Sequence, residues 1–403
     1  MNVLSSHASA ALRLSASLIA GGLLLSSFAC RGDSEAQRVR PRQLRDVPAQ
    51  RLAFTFAADV EPPANAATEE AKPIEAIQKD FDERRKDEGL VLLRTVPSPD
   101  GQRALALYQE EPSPTFHIDL YSSSGAFIRN LTPPELAVVF QDSVLWSADS
   151  GHIAFVGRKV AQPKPSPTPE GFEAPLPLES PAPSPTVMPA FPPVAAFSTE
   201  QIYICNSDGY DLRPLTTRDG LIYFALSWAP DGHALAALAC KESEWDTRER
   251  EHKTPAGRPR VVSIDGQERL LDDELAQASP VWSPDSSKVV TAFDVDIGIY
   301  DAAGKAPTQA RIVLRERMLT ASAAFDEKAS SKQGLAHSKE NPTSSPATTG
   351  MPVSFNPIVR IEWPVPEKLY VQTGYLDLRN LMPTFSRWHL LTLSPQAVVL
   401  GKS

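Results

Sequence analysis

The chain has 403 residues, with 40 Lys plus Arg against 49 Asp plus Glu, 42% hydrophobic residues, 38 Pro and 3 Cys. That length supports one large or two ordinary domains with a sizeable core, and it excludes collagen-like and wholly disordered chains. A formal charge of −9 lacks the basic footprint that phosphate backbones require, so a nucleic-acid partner is excluded, and three cysteines are too few for a disulfide scaffold.

Residues 1–29 place Arg13 ahead of an apolar run, Leu14 to Leu25, followed by Ser26-Ser-Phe-Ala-Cys30. The order is that of a secretory signal peptide, and the run is too short to span a bilayer. Its end resembles a bacterial lipoprotein box, which implies acylation of the Cys30 thiol and cleavage in front of it. Ordinary cleavage near Ala29 is the other reading. A lipid on Cys30 is the only membrane attachment expected. Removing the signal takes away one charged side chain, Arg13, and leaves the chain still more acidic.

Residues 30–72 are polar and read as a flexible tether, with one alternating patch, Leu52-Ala-Phe-Thr-Phe56, that could complete a sheet. Pro73 then opens a short helix, 73–89, with Ile74, Ile77 and Phe81 on one face and Gly89 as its stop. Three apolar residues suit docking onto the protein's own body. Two stretches read as disordered inserts in the domain that follows. Residues 163–193 carry 12 prolines, which cannot donate to a β ladder, and residues 320–353 are rich in Ser, Ala, Lys and Thr.

The rest, 90–403, repeats. Val96-Pro-Ser-Pro99-Asp100-Gly101, Trp146-Ser-Ala-Asp149-Ser-Gly151, Trp228-Ala-Pro230-Asp231-Gly232 and Trp282-Ser-Pro284-Asp285-Ser286 align, and Trp363-Pro-Val-Pro-Glu-Lys368 is a degenerate fifth. An alternating apolar strand follows each, and a second strand–Gly turn–strand hairpin follows in four of them, as in Ile118 to Thr132 and Ile202 to Thr216. The anchors recur about every 50 residues once the inserts are set aside, near the roughly 40 to 50 residues of a four-stranded blade. In the turn, Pro presets φ, Asp bonds its own backbone two residues on, and Gly takes the positive φ. The Trp ahead of it fills the wedge between neighbouring sheets.

These turns and hairpins resemble the repeats of TolB-like (WD40-like) β-propellers of the bacterial envelope. The resemblance covers roughly residues 90–400 and implies an all-β propeller of four-stranded blades, five recognised and six the alternative, preceded by the short helix. It further implies a non-enzymatic binding scaffold, in the periplasm or cell envelope, for an envelope protein or cell-wall component. TolB-like propellers engage a peptidoglycan-associated lipoprotein in this way.

No Gly-x-Ser-x-Gly elbow is present, so the hydrolase chemistry that accompanies such blades in prolyl-oligopeptidase-like peptidases is not expected. The seven histidines show no metal spacing, and no metal or other cofactor is expected. The rival reading is an enzyme, such as a glycan lyase or hydrolase, using channel carboxylates drawn from Asp142, Asp149 and Asp294. Cys205 and Cys240 read either as a disulfide between adjacent blades or as two buried thiols. Asn130-Leu-Thr132 spells a glycosylation sequon that a turn role accounts for. Substituting Cys30 by Ala is expected to abolish fatty-acid labelling and to release the chain from membranes, read by radiolabelled palmitate and fractionation.

Overall fold

The computed structural model describes residues 43–64, 66, 73–86, 88–110, 115–159, 199–337, 354–355, 357–377 and 382–395. Residues 1–29, expected to be a signal peptide, Cys30 and the proline-rich stretch 163–193 lie outside the described residues. Among the described residues no helix is long and apolar enough to cross a membrane.

In chain order, β1 (Leu52–Val60) precedes α1 (Glu75–Arg84). Five antiparallel groups then follow the repeat, the first four of four strands each and the last of five. The first is β2 (Leu90–Pro97), β3 (Arg103–Glu110), β4 (Phe116–Ser122) and β5 (Phe127–Asn130). After β6 (Leu136–Val138) comes the second, β7 (Leu145–Trp146), β8 (His152–Lys159), β9 (Gln201–Asn206) and β10 (Arg213–Pro214). Through β6, which pairs with both β4 and β8, these two groups join into one nine-stranded sheet.

The third group is β11 (Leu221–Trp228), β12 (Ala234–Lys241), β13 (Arg258–Ser263) and β14 (Glu268–Leu270), with α2 (Glu242–Arg250) between β12 and β13. The fourth is β15 (Val281–Trp282), β16 (Lys288–Phe293), β17 (Asp296–Asp301) and β18 (Gln309–Ile312). Beyond α3 (Arg315–His337) lie β19 (Ser354–Phe355), β20 (Ile358–Val365), β21 (Lys368–Asp377) and β22 (Met382–Pro395). The fifth group takes its outer strand from the other end of the chain. β1 pairs with β22 in register from Leu52 opposite Pro395 to Phe56 opposite Leu391.

Two expectations change here. Residues 43–60, assigned to the tether, belong to the fold: Leu44 and Ala49 are buried in the core between the fourth and fifth groups, with Phe54 and Phe56 packed against it. The second insert begins as helix, because the Ala, Glu and Lys that make 320–337 look unstructured are also good helix formers. Residues 338–353 lie outside the described residues.

The second strand of each of the first four units is buried on both faces, so adjacent residues serve different cores. Leu105 and Leu107 face the second sheet while Ala104, Ala106 and Tyr108 face α1. Ile153 and Phe155 face the first sheet, and Ala154 and Val156 the third. Ala236, Leu238 and Cys240 meet the fourth, and Val290 and Ala292 of the fourth meet the fifth. The cores therefore run in series from first to fifth. On its remaining face the first sheet is covered by Ile77 and Phe81 of α1, the docking expected for that helix. No buried cluster described joins the fifth sheet to the first.

The expected tryptophans occupy these seams. Trp146 Nε1 donates to Val96 O at 3.0 Å, and Trp282 Nε1 to Ser227 O at 3.1 Å, each reaching the preceding sheet. Trp228 instead stacks on His152, ring centroids 6.2 Å apart, and its Nε1 is buried without a partner. Trp363 bonds within its own turn, to Pro366 O.

The turns behave as expected with one difference. Gly101 and Gly232 take the positive φ, but in the second and fourth turns that position is held by Ser150 (φ 60°) and Ser286 (φ 59°). Each serine hydroxyl accepts a hydrogen bond from the preceding turn, Asp100 N–H to Ser150 and Asp231 N–H to Ser286, both at 3.0 Å. This bond offsets a backbone region that L residues avoid. Asp149 lies where a Cβ on Gly232 would meet it at 3.0 Å, so consecutive turns touch along one end of the sheets.

Asp301, at the end of β17, ties the N-terminal segment down. Its carboxylate accepts from Ala49 N–H (3.0 Å), Lys288 Nζ (3.1 Å), Thr308 N–H (2.8 Å) and Thr308 Oγ1 (2.7 Å). Burial raises its pKa, but the bonds from Thr308 and Lys288 and the Lys288 charge outweigh that and hold it below the ordinary range. Its stabilisation is complete above the unfolded carboxylate pKa and is lost as pH falls through the lowered folded value. Asp301→Ala is expected to cost about 3 kcal/mol in urea unfolding, since Lys288 is left buried and unpaired. Asp301→Asn should flatten the acid limb below about pH 4 and speed amide exchange at Ala49. An unchanged acid limb would remove Asp301 from this role.

A polar cleft between the N-terminal helix and the first sheet

The hairpin glycine of each repeat fixes a position six residues before it that faces the preceding layer: Asp119, Tyr203, Arg260 and Gly298 in the first to fourth units. In the first unit that layer is α1. Ile118 and Leu120 of β4 face the second sheet, while Asp119 and Tyr121 face the helix. The sequence builds α1 from Ile74, Ile77 and Phe81 on the inner face and ends it with Arg84-Arg85, cations at the negative end of the helix dipole. Gly89, at φ +65°, then turns the chain into β2.

Asp119 is fully buried. Its Oδ2 accepts from Arg84 Nη2 at 3.3 Å and Arg85 Nη2 at 3.2 Å, and its Oδ1 from Asn130 Nδ2 at 2.9 Å and Tyr108 OH at 3.4 Å. Arg84 also reaches Tyr121 OH at 2.6 Å, and Arg85 reaches Glu88 at 2.7 Å. Burial pushes the Tyr121 phenol up to about 12 and Tyr108 higher still. Burial also lowers the His117 pKa, more than the nearby Asp119 charge raises it, so the ring is neutral at pH 7.

Over this network lies a cleft of about 500 Å³, in the size class of pockets that hold single small ligands. Arg85, Tyr108, His117 and Asn130 supply its polar surface, Glu110 its rim, and Leu90, Pro133 and Pro134 its apolar walls. Because Arg85, Tyr108 and Asn130 are all bonded to one buried carboxylate, the polar groups are fixed before any ligand arrives.

Of the residues singled out in the sequence, the tryptophans and Pro-Asp-Gly turns serve the seams and the turn-lined end. The three carboxylates do not converge. Asp149 sits in the turn before β8, bonded by Ser147 Oγ, whereas Asp142 precedes β7 and Asp294 follows β16, both at the other end of the strands. Asp142 approaches Arg94 at 3.9 Å, and Asp294 approaches Arg315 at 3.8 Å. Cys205 and Cys240 are unpaired and buried, and burial pushes both thiols up to about 12. Asn130 of the sequon spends both Nδ2 hydrogens on Tyr108 OH and Asp119, and Thr132 Oγ1 accepts from Ile118 N–H. Among the described residues no three His, Cys, Asp or Glu side chains are grouped to hold a metal ion. Sequence reasoning passed over Asp119 and the arginine pair. The available signal was a carboxylate interrupting an apolar β4, at a position that is Tyr or Gly in two other units.

No protein-family model matches the chain, and no curated protein does. Solved structures with some likeness include an oligogalacturonate lyase from Vibrio parahaemolyticus (11% identity, TM-score 0.36, 76% of this chain and 67% of that one). A putative TolB from Agrobacterium tumefaciens is 16% identical, with TM-score 0.30 over 54% of this chain and 65% of that one. Prolyl oligopeptidase B from Galerina marginata is 10% identical, with TM-score 0.41, and this chain spans 37% of its length. Repeated four-stranded sheets are enough to produce likeness at these scores.

Removing the buried carboxylate with Asp119→Ala leaves Arg84 to Asp80 and Arg85 to Glu88 and strips Asn130 and Tyr108 of their shared acceptor, and it is expected to cost about 2 kcal/mol in urea unfolding. Asp119→Asn, which keeps the shape and the bond from Tyr108, should cost less. Equal losses in the two variants would mean that packing, not charge, sets the cost.

Proposed function

We propose that the chain is a non-enzymatic binding protein of the bacterial envelope, held there by a lipid on Cys30, with its sheets arranged as the blades of a five-bladed TolB-like propeller. The four serial cores, the touching turns and the β1–β22 pairing support the blade arrangement. The binding role rests on one observation, the polar cleft whose lining is fixed by the buried Asp119. Such a lining is fixed before a ligand arrives, so binding costs little reorganisation.

The test is retention on the immobilised full chain of purified envelope proteins and soluble wall fragments, followed by recovery of the ligand. Wild type should retain a ligand unchanged, and Asn130→Ala should weaken retention about tenfold through loss of a fixed polar contact. Recovery of a cleaved or eliminated product would replace this reading with an enzyme, and retention indifferent to Asn130 would move the site elsewhere.

A further inference from the structure

We propose that the cleft is a binding site for an uncharged, N-acetylated sugar. This rests on the reading that the chain binds its ligand there, and it names the ligand's chemistry.

The first step is charge. Arg85 is already engaged by Glu88 through Nη1 and by Asp119 and Tyr108 through Nη2. Arg84 is held by Asp80, Asp119 and Tyr121. Around these two guanidinium groups stand four carboxylates, Asp80, Glu88, Asp119 and the rim residue Glu110, and Glu110 has no ion pair among the described residues. An anionic ligand would meet guanidinium groups already paired with carboxylates, with the buried Arg85 Nε left unbonded, and a facing carboxylate, so phosphates and uronic acids are disfavoured.

The second step is which hydrogen-bonding capacity the cleft leaves open. Thr132 Oγ1 accepts from Ile118 N–H at 3.1 Å and lies 3.3 Å from His117 Nδ1, a contact whose direction follows the histidine tautomer. Assigning the ring hydrogen to Nε2, with Thr132 donating to Nδ1, makes Nε2 a donor for the ligand. Asn130 has used both amide hydrogens, and its Oδ1 is an open acceptor. Donor and acceptor together match the C=O and N–H of an acetamido group, and Leu90, Pro133 and Pro134 supply apolar walls for its methyl and for the C–H face of a pyranose. Glu110 is a planar acceptor pair, suited to vicinal hydroxyls.

The experiment is calorimetric titration of the full chain with N,N′-diacetylchitobiose, beside cellobiose, digalacturonate and tetra-alanine. Diacetylchitobiose should bind about tenfold more tightly than cellobiose, which lacks the acetamido groups. His117→Ala should erase that preference, bringing diacetylchitobiose affinity down to that of cellobiose in the same variant. Glu110→Gln, on the exposed rim and without a packing role, should weaken both sugars by a few-fold and raise the affinity for digalacturonate. Cellobiose binding as well as diacetylchitobiose, or digalacturonate binding better, overturns the proposal. Binding of tetra-alanine alone, lost in Asn130→Ala, also overturns it but leaves the cleft as the binding site. Absence of binding by any of the four overturns it, and retention of an envelope ligand that depends on Asn130 then decides whether the broader reading survives.

Discussion

A β-strand that is apolar on both sides has to be covered on both sides, and this constraint organises the molecule. In the second strands of the first four units, neighbouring residues face opposite layers, so no sheet can stand at a free surface without losing burial worth roughly 25 cal/mol per Å². The interior sheets cover one another. Among the described residues no sheet packs on the outer face of the first sheet, and α1 covers it with Ile77 and Phe81. A helix is narrower than a sheet and carries charged residues beside its apolar stripe, so what meets it on β4 is a carboxylate and a phenol rather than a second apolar row. The cleft is a product of that mismatch between helix and sheet.

The seams between sheets are not equivalent. The first and second units share both an indole bond, Trp146 to Val96, and a hydroxyl bond, Asp100 to Ser150, and the third and fourth share the same two, Trp282 to Ser227 and Asp231 to Ser286. Between the second and third neither is present, and Trp228 Nε1 and His152 Nδ1 are buried without partners. The sequence carries the same alternation: Pro-Asp-Gly in the first and third turns, Asp-Ser in the second and fourth. The first four units are thus joined in pairs, the indole and hydroxyl bonds lying within each pair and not between them.

Much of the architecture was legible because it depends on local chemistry. Asp100, Asp149, Asp231 and Asp285 accept the backbone bonds that their turn positions demand, and the tryptophans stand where a wedge must be filled. The serines ahead of them were not read: Ser98, Ser147 and Ser283 each donate to the turn Asp and accept from the strand that follows, which pattern alone does not separate from ordinary turn composition. The cleft was least legible. It needs α1, β3, β4 and β5 brought together, and the contact of Arg84 and Arg85 with Asp119 joins residues more than thirty positions apart. The extent of the tether was misjudged for a related reason, since Leu44 and Ala49 find their partners only across the length of the chain.

Pairing β1 with β22 also sets the order in which the chain can finish folding. Leu52 emerges early during synthesis and waits for Pro395, almost the whole polypeptide later, before its ladder can form. Loop-closure entropy rises only slowly with length, so the cost in stability is modest, but distant pairing slows assembly. Until β22 has formed, β1 is an unpaired strand of nine residues. Closing the β1–β22 ladder is thus a late event, and a chain released before it would present an open strand to any chaperone or protease it meets.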